Sequence, residues 1–255
     1  MAARSHRLGQ GVTTMEEVPF PRRVNGDPVT APPGLIPART ALIGAEVRLE
    51  PLDPARHAEA LYRASHATEA ALRIWDYLAY GPFSTEDAFR TYLRDFAAAF
   101  DPIFYAICRS DTGEPAGVAS FLDIQPKTGV IEIGHIWFSP ALQRTRAATE
   151  ALFLMLACAM DDLGYRRMQW RCNAQNANSR AAARRLGFRF EGIWFNHLVF
   201  KGRNRDTAWY SILDTEWPAV REAISAWLDP TNFDAAGGAK RSLSDMTAAH
   251  SSQDA

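Results

Sequence analysis

Cysteine is scarce in this chain of 255 residues: Cys108, Cys158 and Cys172 are an odd number at unrelated spacings. That excludes a disulfide-built scaffold. With no Cys/His pair at ligand spacing, no zinc or other metal is expected, and the three read as reduced thiols in a core. An excess of charge of one sign is also missing. A net charge of −1, from 28 basic and 29 acidic residues, gives no overall pull toward nucleic acid or an anionic membrane, and neither is expected as a partner. The longest apolar run, residues 151–160, is too short to span a bilayer. Residues 1–10 are polar and lead into no apolar segment that would read as a secretion signal, so a soluble, cytoplasmic protein is expected. No internal repeat is visible, and no Gly-x-Ser-x-Gly marks a hydrolase nucleophile.

What is present is an ordinary globular composition, 47% hydrophobic and 22% charged, at a length that suits one domain or at most two. Residues 1–40 hold Pro19, Pro21, Pro28, Pro32, Pro33 and Pro37 with little periodicity, which predicts a disordered leader. Residues 229–255 are rich in Ala, Gly, Ser and Asp and predict a loose tail. The folded domain is then 41–228.

Inside it, 46–49 reads as a first strand and 54–65 as a first helix. Ser84 is placed to cap a second helix carrying Phe89, Leu93 and Phe96 at helical spacing. Residues 103–109 and 116–124 form a hairpin, and Lys127-Thr128-Gly129 turns into a strand at 130–138 rich in β-branched and aromatic residues. A loop follows, then a helix over 147–163, apolar on nearly every face and ended by Gly164. Residues 167–172 read as a strand, 180–186 as a helix stopped by Gly187, and 194–200 with 207–213 as a last hairpin across a turn at 201–206. A helix over 218–228 closes the domain. Hairpins first and helical crossovers later predict an α/β (α+β) fold, a mixed, mainly antiparallel sheet with helices on both faces.

The segment from 130 to 192 carries a resemblance. A helix opening straight after a strand leaves backbone N–H groups free at its positive end, a seat for phosphate. Gln143-x-x-Arg146-x-Ala148 resembles the Gln/Arg-x-x-Gly-x-Gly/Ala acetyl-CoA motif of the GNAT N-acetyltransferase superfamily, and Ala148-Thr149-Glu150-Ala151 is similar to its continuation in the RimJ/RimL-like branch, which acetylates ribosomal-protein N-termini. Arg146 stands where the family has glycine, and Arg144 and Arg146 add two permanent cations beside a polyanionic ligand. Further on, Asn176-x-x-Ser179, a short helix and Leu186-Gly187-Phe188 resemble the second half of the same fold. The resemblance implies acetyl-CoA as co-substrate, held by Ile136, Trp137 and Phe138 at the end of the strand, by Gln143, Arg144, Thr145, Arg146, Ala147, Ala148 and Thr149, and by Asn176.

Acetyl transfer from a thioester to an amine needs a base to deprotonate the acceptor, donors for the oxyanion and a proton for the leaving thiolate. Glu132 lies eleven residues before Gln143, a spacing similar to that of the superfamily's glutamate base, and its Ile131 and Ile133 neighbours would raise its pKa. The alternative is a glutamate paired with a cation on a neighbouring strand. His135 is the rival base, yet strand alternation turns it away from Glu132 unless a bulge intervenes. The resemblance makes backbone N–H groups near His135 and Ile136 the oxyanion donors. Ala183 occupies the place of the family's proton-donating tyrosine, which leaves Ser179 as donor, or as a helix N-cap. Trp75-Asp76-Tyr77, His135, Asn196 and His197 are candidates for the acceptor pocket, or packing residues. The expected function is acetyl-CoA-dependent N-acetylation of a small-molecule or peptide amine, by a monomer or homodimer. The alternative is a non-catalytic acyl-CoA-binding module on the same fold.

Overall fold

The computed structural model describes residues 26–251, in two units. Residues 26–31 carry no helix or strand, and 32–251 carry every element. Positions 1–25 of the expected leader and 252–255 of the expected tail lie outside the described residues.

Eight strands make one sheet: β1 (Leu42–Ile43), β2 (Val47–Pro51), β3 (Ile103–Arg109), β4 (Pro115–Gln125), β5 (Val130–Phe138), β6 (Arg167–Asn173), β7 (Arg189–Phe200) and β8 (Arg203–Leu213), in the order β1-β2-β3-β4-β5-β6-β8-β7. Every neighbouring pair is antiparallel except β5 with β6. Parallel strands need a crossover, and helix α4 (Arg146–Ala157) supplies it. The expected mixed, mainly antiparallel sheet is the one that forms.

Strand β3 is buried on six successive residues because both faces of the sheet are covered. Phe104, Ala106 and Cys108 join a core with Ala58 and Leu61 of α1 (Pro54–His66) and Phe89 and Leu93 of α3 (Glu86–Ala98). Ile103, Tyr105 and Ile107 join the opposite core with Ala151 and Met155 of α4, Ala183 of α5 (Ala177–Arg185) and Ile224 of α6 (Trp217–Leu228). A short helix α2 (Glu69–Leu72) and one 3-10 turn over Arg73–Trp75 lie between α1 and α3 in the chain.

Two irregularities create the site. Beyond Glu132↔Gln169, β5 and β6 are no longer paired, although both strands continue, so the sheet splits there. In β5 one extra residue opposes β4 between the pairs Ser120↔Gly134 and Val118↔Trp137, a bulge centred on His135 at φ 51°. The bulge reverses the alternation. Ile131 and Ile133 face the α4 core, whereas Trp137, four residues on from Ile133, packs in the α1–α3 core.

Several boundaries differ from the sequence reading. Thr85, not Ser84, caps α3 by accepting the Ala88 N–H. The apolar helix keeps α geometry only to Ala157 and widens into a π turn over Cys158–Asp162 before Gly164. The last hairpin turns in two residues, Lys201 and Gly202, both at positive φ as the tight primed turn requires, so strand extends through the expected loop. Leader and tail also need correction within the described residues. Gly34 N–H bonds Pro126 O, Leu35 N–H bonds Leu163 O and Tyr105 hydroxyl bonds Ala38 O, which ties residues 34–38 to the domain. The tail forms helix α7 (Leu243–Ser251), with Leu243 buried in the core and Thr247 hydroxyl donating to Arg185 O.

Candidate active site

The loop into α4 is held by its own side chains. Gln143 donates its amide to Phe138 O at 2.9 Å, and Thr145 hydroxyl donates to Leu142 O at 2.7 Å while capping Ala148 N–H at 3.1 Å. Arg144 sits at φ 60°. The backbone N–H groups of Arg144, Thr145, Arg146 and Ala147 are left with no acceptor among the described residues. Four unsatisfied donors at the positive end of a helix fit a diphosphate. Beside them, the backbone of Ile136–Phe138 has no strand partner on the β6 side.

Arg146 is an ordinary helical residue here, so the missing glycine costs the loop nothing in conformation. Its side chain, however, is not beside the phosphate seat. It pairs with Glu46 at 3.4 Å and lies 5.0 Å from the centre of the Phe233 ring, which corrects the expectation of two flanking cations. Arg144 is exposed and has no side-chain partner among the described residues. Thr149 and Ala148 are corrections as well: Thr149 is fully buried with its hydroxyl accepting from Arg185, and the N–H of each is already bonded. Trp137 offers backbone only, its ring being packed 5.6 Å from that of Trp75.

A cavity of about 270 Å³ opens at the split. Its walls come from Ile74 and residues 77–80, from the bulged part of β5, from β6 and from the last hairpin, which docks by Lys201 Nζ donating to Trp75 O at 2.8 Å. Glu132 lines it and is only 3% exposed. Burial, opposed in part by Arg171 and reinforced by Asp123, pushes its carboxyl up to about 7. The cation on a neighbouring strand is present: Arg171 is ion-paired with Glu132 and Asp123 and stacks 5.0 Å from the Trp209 ring centre.

The bulge brings His135 onto the same face as Glu132. His135 Nδ1 is hydrogen-bonded with Tyr80 hydroxyl at 3.0 Å, and its ring lies among Tyr80, Phe96 and Phe104. Burial and then Arg171 hold its pKa down to about 4, so the imidazole is neutral at physiological pH. On the opposite wall, Asn176 rather than Ser179 caps α5, accepting the Ser179 N–H. Ser179 Oγ accepts from Trp170 Nε1 at 3.0 Å and is also a hydrogen-bond partner of the Cys172 thiol.

Of the acceptor candidates, Tyr77 and His197 line the cavity, the latter with Nδ1 2.9 Å from Thr207 Oγ1. Trp75 does not. It is 1% exposed in the aromatic core, its Nε1 donating to Ser65 O, and Asp76 is exposed outside the cavity. Asn196 takes φ 51° in the β7 bulge with its N–H on Asp206. Sequence reasoning missed Tyr80, Arg171 and Arg205. The signal for the arginines was alternation: Gln169↔Ser211 and Arg171↔Trp209 set one face of β6 and β8, and that face continues to Arg205 and, through Glu132↔Gln169, to Glu132. A second buried group, Glu50, His57 and Cys108, lies within ligand distance but has its own partners: His57 bonds Glu50 through Nε2 while Nδ1 accepts the Asp53 N–H, and Arg48 and Arg56 pair with Glu50.

A split sheet, a helix N-terminus with free donors beside it and a buried carboxylate across the split define an acetyl-CoA-dependent acetyltransferase. The chain belongs to the acetyltransferase (GNAT) domain family, whose model matches residues 46–189. It is 44% identical to a GCN5-related N-acetyltransferase from Brucella melitensis, covering 86% of this chain and 99% of that one at a TM-score of 0.83. A probable GNAT-family acetyltransferase from Chromobacterium violaceum is also 44% identical, covering 78% and 100% at 0.71. Bacillus subtilis "Putative ribosomal N-acetyltransferase YdaF" is 26% identical over 171 residues, 66% of this chain and 90% of its own length. Among the described residues, no helix is long and apolar enough to cross a membrane.

Proposed function

We propose that this acetyltransferase moves the acetyl group to a primary amine by direct attack, with Glu132 as general base. The observation that carries the reading is a carboxyl held near 7 at the mouth of the split, where it is half ionised at neutral pH and so both available and basic. An alkylamine is mostly protonated at that pH, so the base removes the proton that blocks attack. His135 is the weaker base, since a ring held near 4 has little affinity for a proton. Its backbone at the bulge, with that of Ile136, supplies the N–H donors for the oxyanion, and Ser179 supplies the proton for the leaving thiolate. Acetyl-CoA is held by the backbone donors of residues 144–147, by Arg144, by the free edge of Ile136–Phe138 and by Asn176. The named relative YdaF supports an N-terminal or other protein amine among the acceptors, as does the RimJ/RimL-like motif.

The test is thiol release from acetyl-CoA with a panel of N-terminal peptides, amino acids, aminoacyl nucleotide analogues, polyamines and aminoglycosides. Release that requires one amine class is expected. Tight binding of acetyl-CoA with no amine-dependent release from any member would favour a binding module instead.

A further inference from the structure

Arg205 stands on the open face of β8, lines the cavity and lies 4.5 Å from the Phe200 ring centre. Unlike Arg171, it has no carboxylate: no ion pair or hydrogen bond to its guanidinium exists among the described residues, and its Nε is buried without an acceptor. A half-buried permanent cation with an orphaned donor is costly unless something supplies the counter-charge. The protein supplies only part of it: Glu132 acts on Arg205 at a distance but is ion-paired with Arg171, as is Asp123, so the cavity wall carries two guanidiniums against one half-ionised carboxylate. The diphosphate seat does not supply the rest, because none of residues 139–149 lines this cavity.

Resting on the amine-acetylation reading, we propose that Arg205 receives an anionic oxygen group, a carboxylate or a phosphate, carried by the acceptor molecule itself. The acceptor class is then an amine that also bears an acid, and polycationic amines are disfavoured by the excess positive charge of the wall. Arg205 is the residue that selects it, through a charge-assisted, bidentate contact in which Nε finds its missing acceptor.

Matched pairs test this by thiol release: amino acids of increasing amine-to-carboxylate spacing against their amides, and aminoalkyl phosphates against the corresponding amino alcohols. The acids are expected to exceed their neutral partners in kcat/KM by about ten- to a hundredfold, and the better of the two arms names the acid group. Arg205→Met is expected to erase that ratio, mainly through KM, and Arg205→Lys to keep part of it. Equal rates for acid and neutral partners, a preference for polyamines, or an acid preference that survives Arg205→Met would each overturn the proposal. Should no amine of any charge turn over, the transferase reading is what fails, and the anion site is read by calorimetry with the N-acetylated acids and their amides. Binding of acids to the wild type but not to Arg205→Met supports the site; equal binding or none sinks it.

Discussion

A buried glutamate with a cation against it is usually a low-pKa structural group, and Glu132 departs from that because the desolvation of a residue 3% exposed outweighs one ion pair. Arg171 is thus a positioning residue: it aims the carboxylate and restrains its pKa. Replacing it with Met removes the opposing charge, so the rise of kcat/KM with pH should move upward by roughly one unit while the profile keeps its shape. An unmoved limb in Arg171→Met would place the titrating group elsewhere. That Glu132 sits on a buried strand was legible from its isoleucine neighbours. Its partner was not, because parallel register between β5 and β6 is set by α4 and the two cores rather than by either strand alone.

At the scale of elements, the loop into α4 was recognisable from its motif, but the direction of its side chains was not. Arg146 faces Glu46 and Phe233, residues 100 before and 87 after it in the chain, and no local pattern predicts such contacts. Glu150, on the same helix, is a further case: its carboxylate accepts the N–H groups of Ala45, Glu46 and Val47 and so fixes the turn from β1 to β2. A side chain at Gly44 would crowd that carboxylate, since a Cβ there would meet Glu150. The cations of the motif should therefore separate on mutation. Arg144→Ala is expected to weaken acetyl-CoA binding by about threefold to tenfold and to flatten its salt dependence, whereas Arg146→Ala leaves affinity nearly unchanged and lowers thermal stability. Calorimetric titration beside a melting curve reads both, and a larger affinity loss in Arg146→Ala would contradict the assignment.

On the scale of the molecule, the mixed, mainly antiparallel sheet and both helical layers were foreseen because hydrophobic periodicity and turn residues carry them. The described part of the tail was misjudged because composition alone suggested disorder, while single anchors decide the outcome: Leu243 in the core, Phe233 against Trp227 and Thr247 on α5. Deleting residues 229–255 should accordingly lower Tm by about 5–10 °C, from the two or three apolar side chains it unburies. An unchanged melting curve would restore the reading of a loose tail.

The most direct test of the whole account is the pH dependence of kcat/KM for the wild type and Glu132→Gln, with acetyl-CoA and the best amine of the panel. A carboxyl raised to about 7 is protonated and inactive below that pH, so the wild-type value should climb through about 7 and level off above it. Glu132→Gln should lose that limb and fall by about a hundredfold or more at the plateau, with acetyl-CoA affinity kept. A Glu132→Gln enzyme as fast as the wild type, with the limb still near 7, would contradict the assignment of Glu132 as the base.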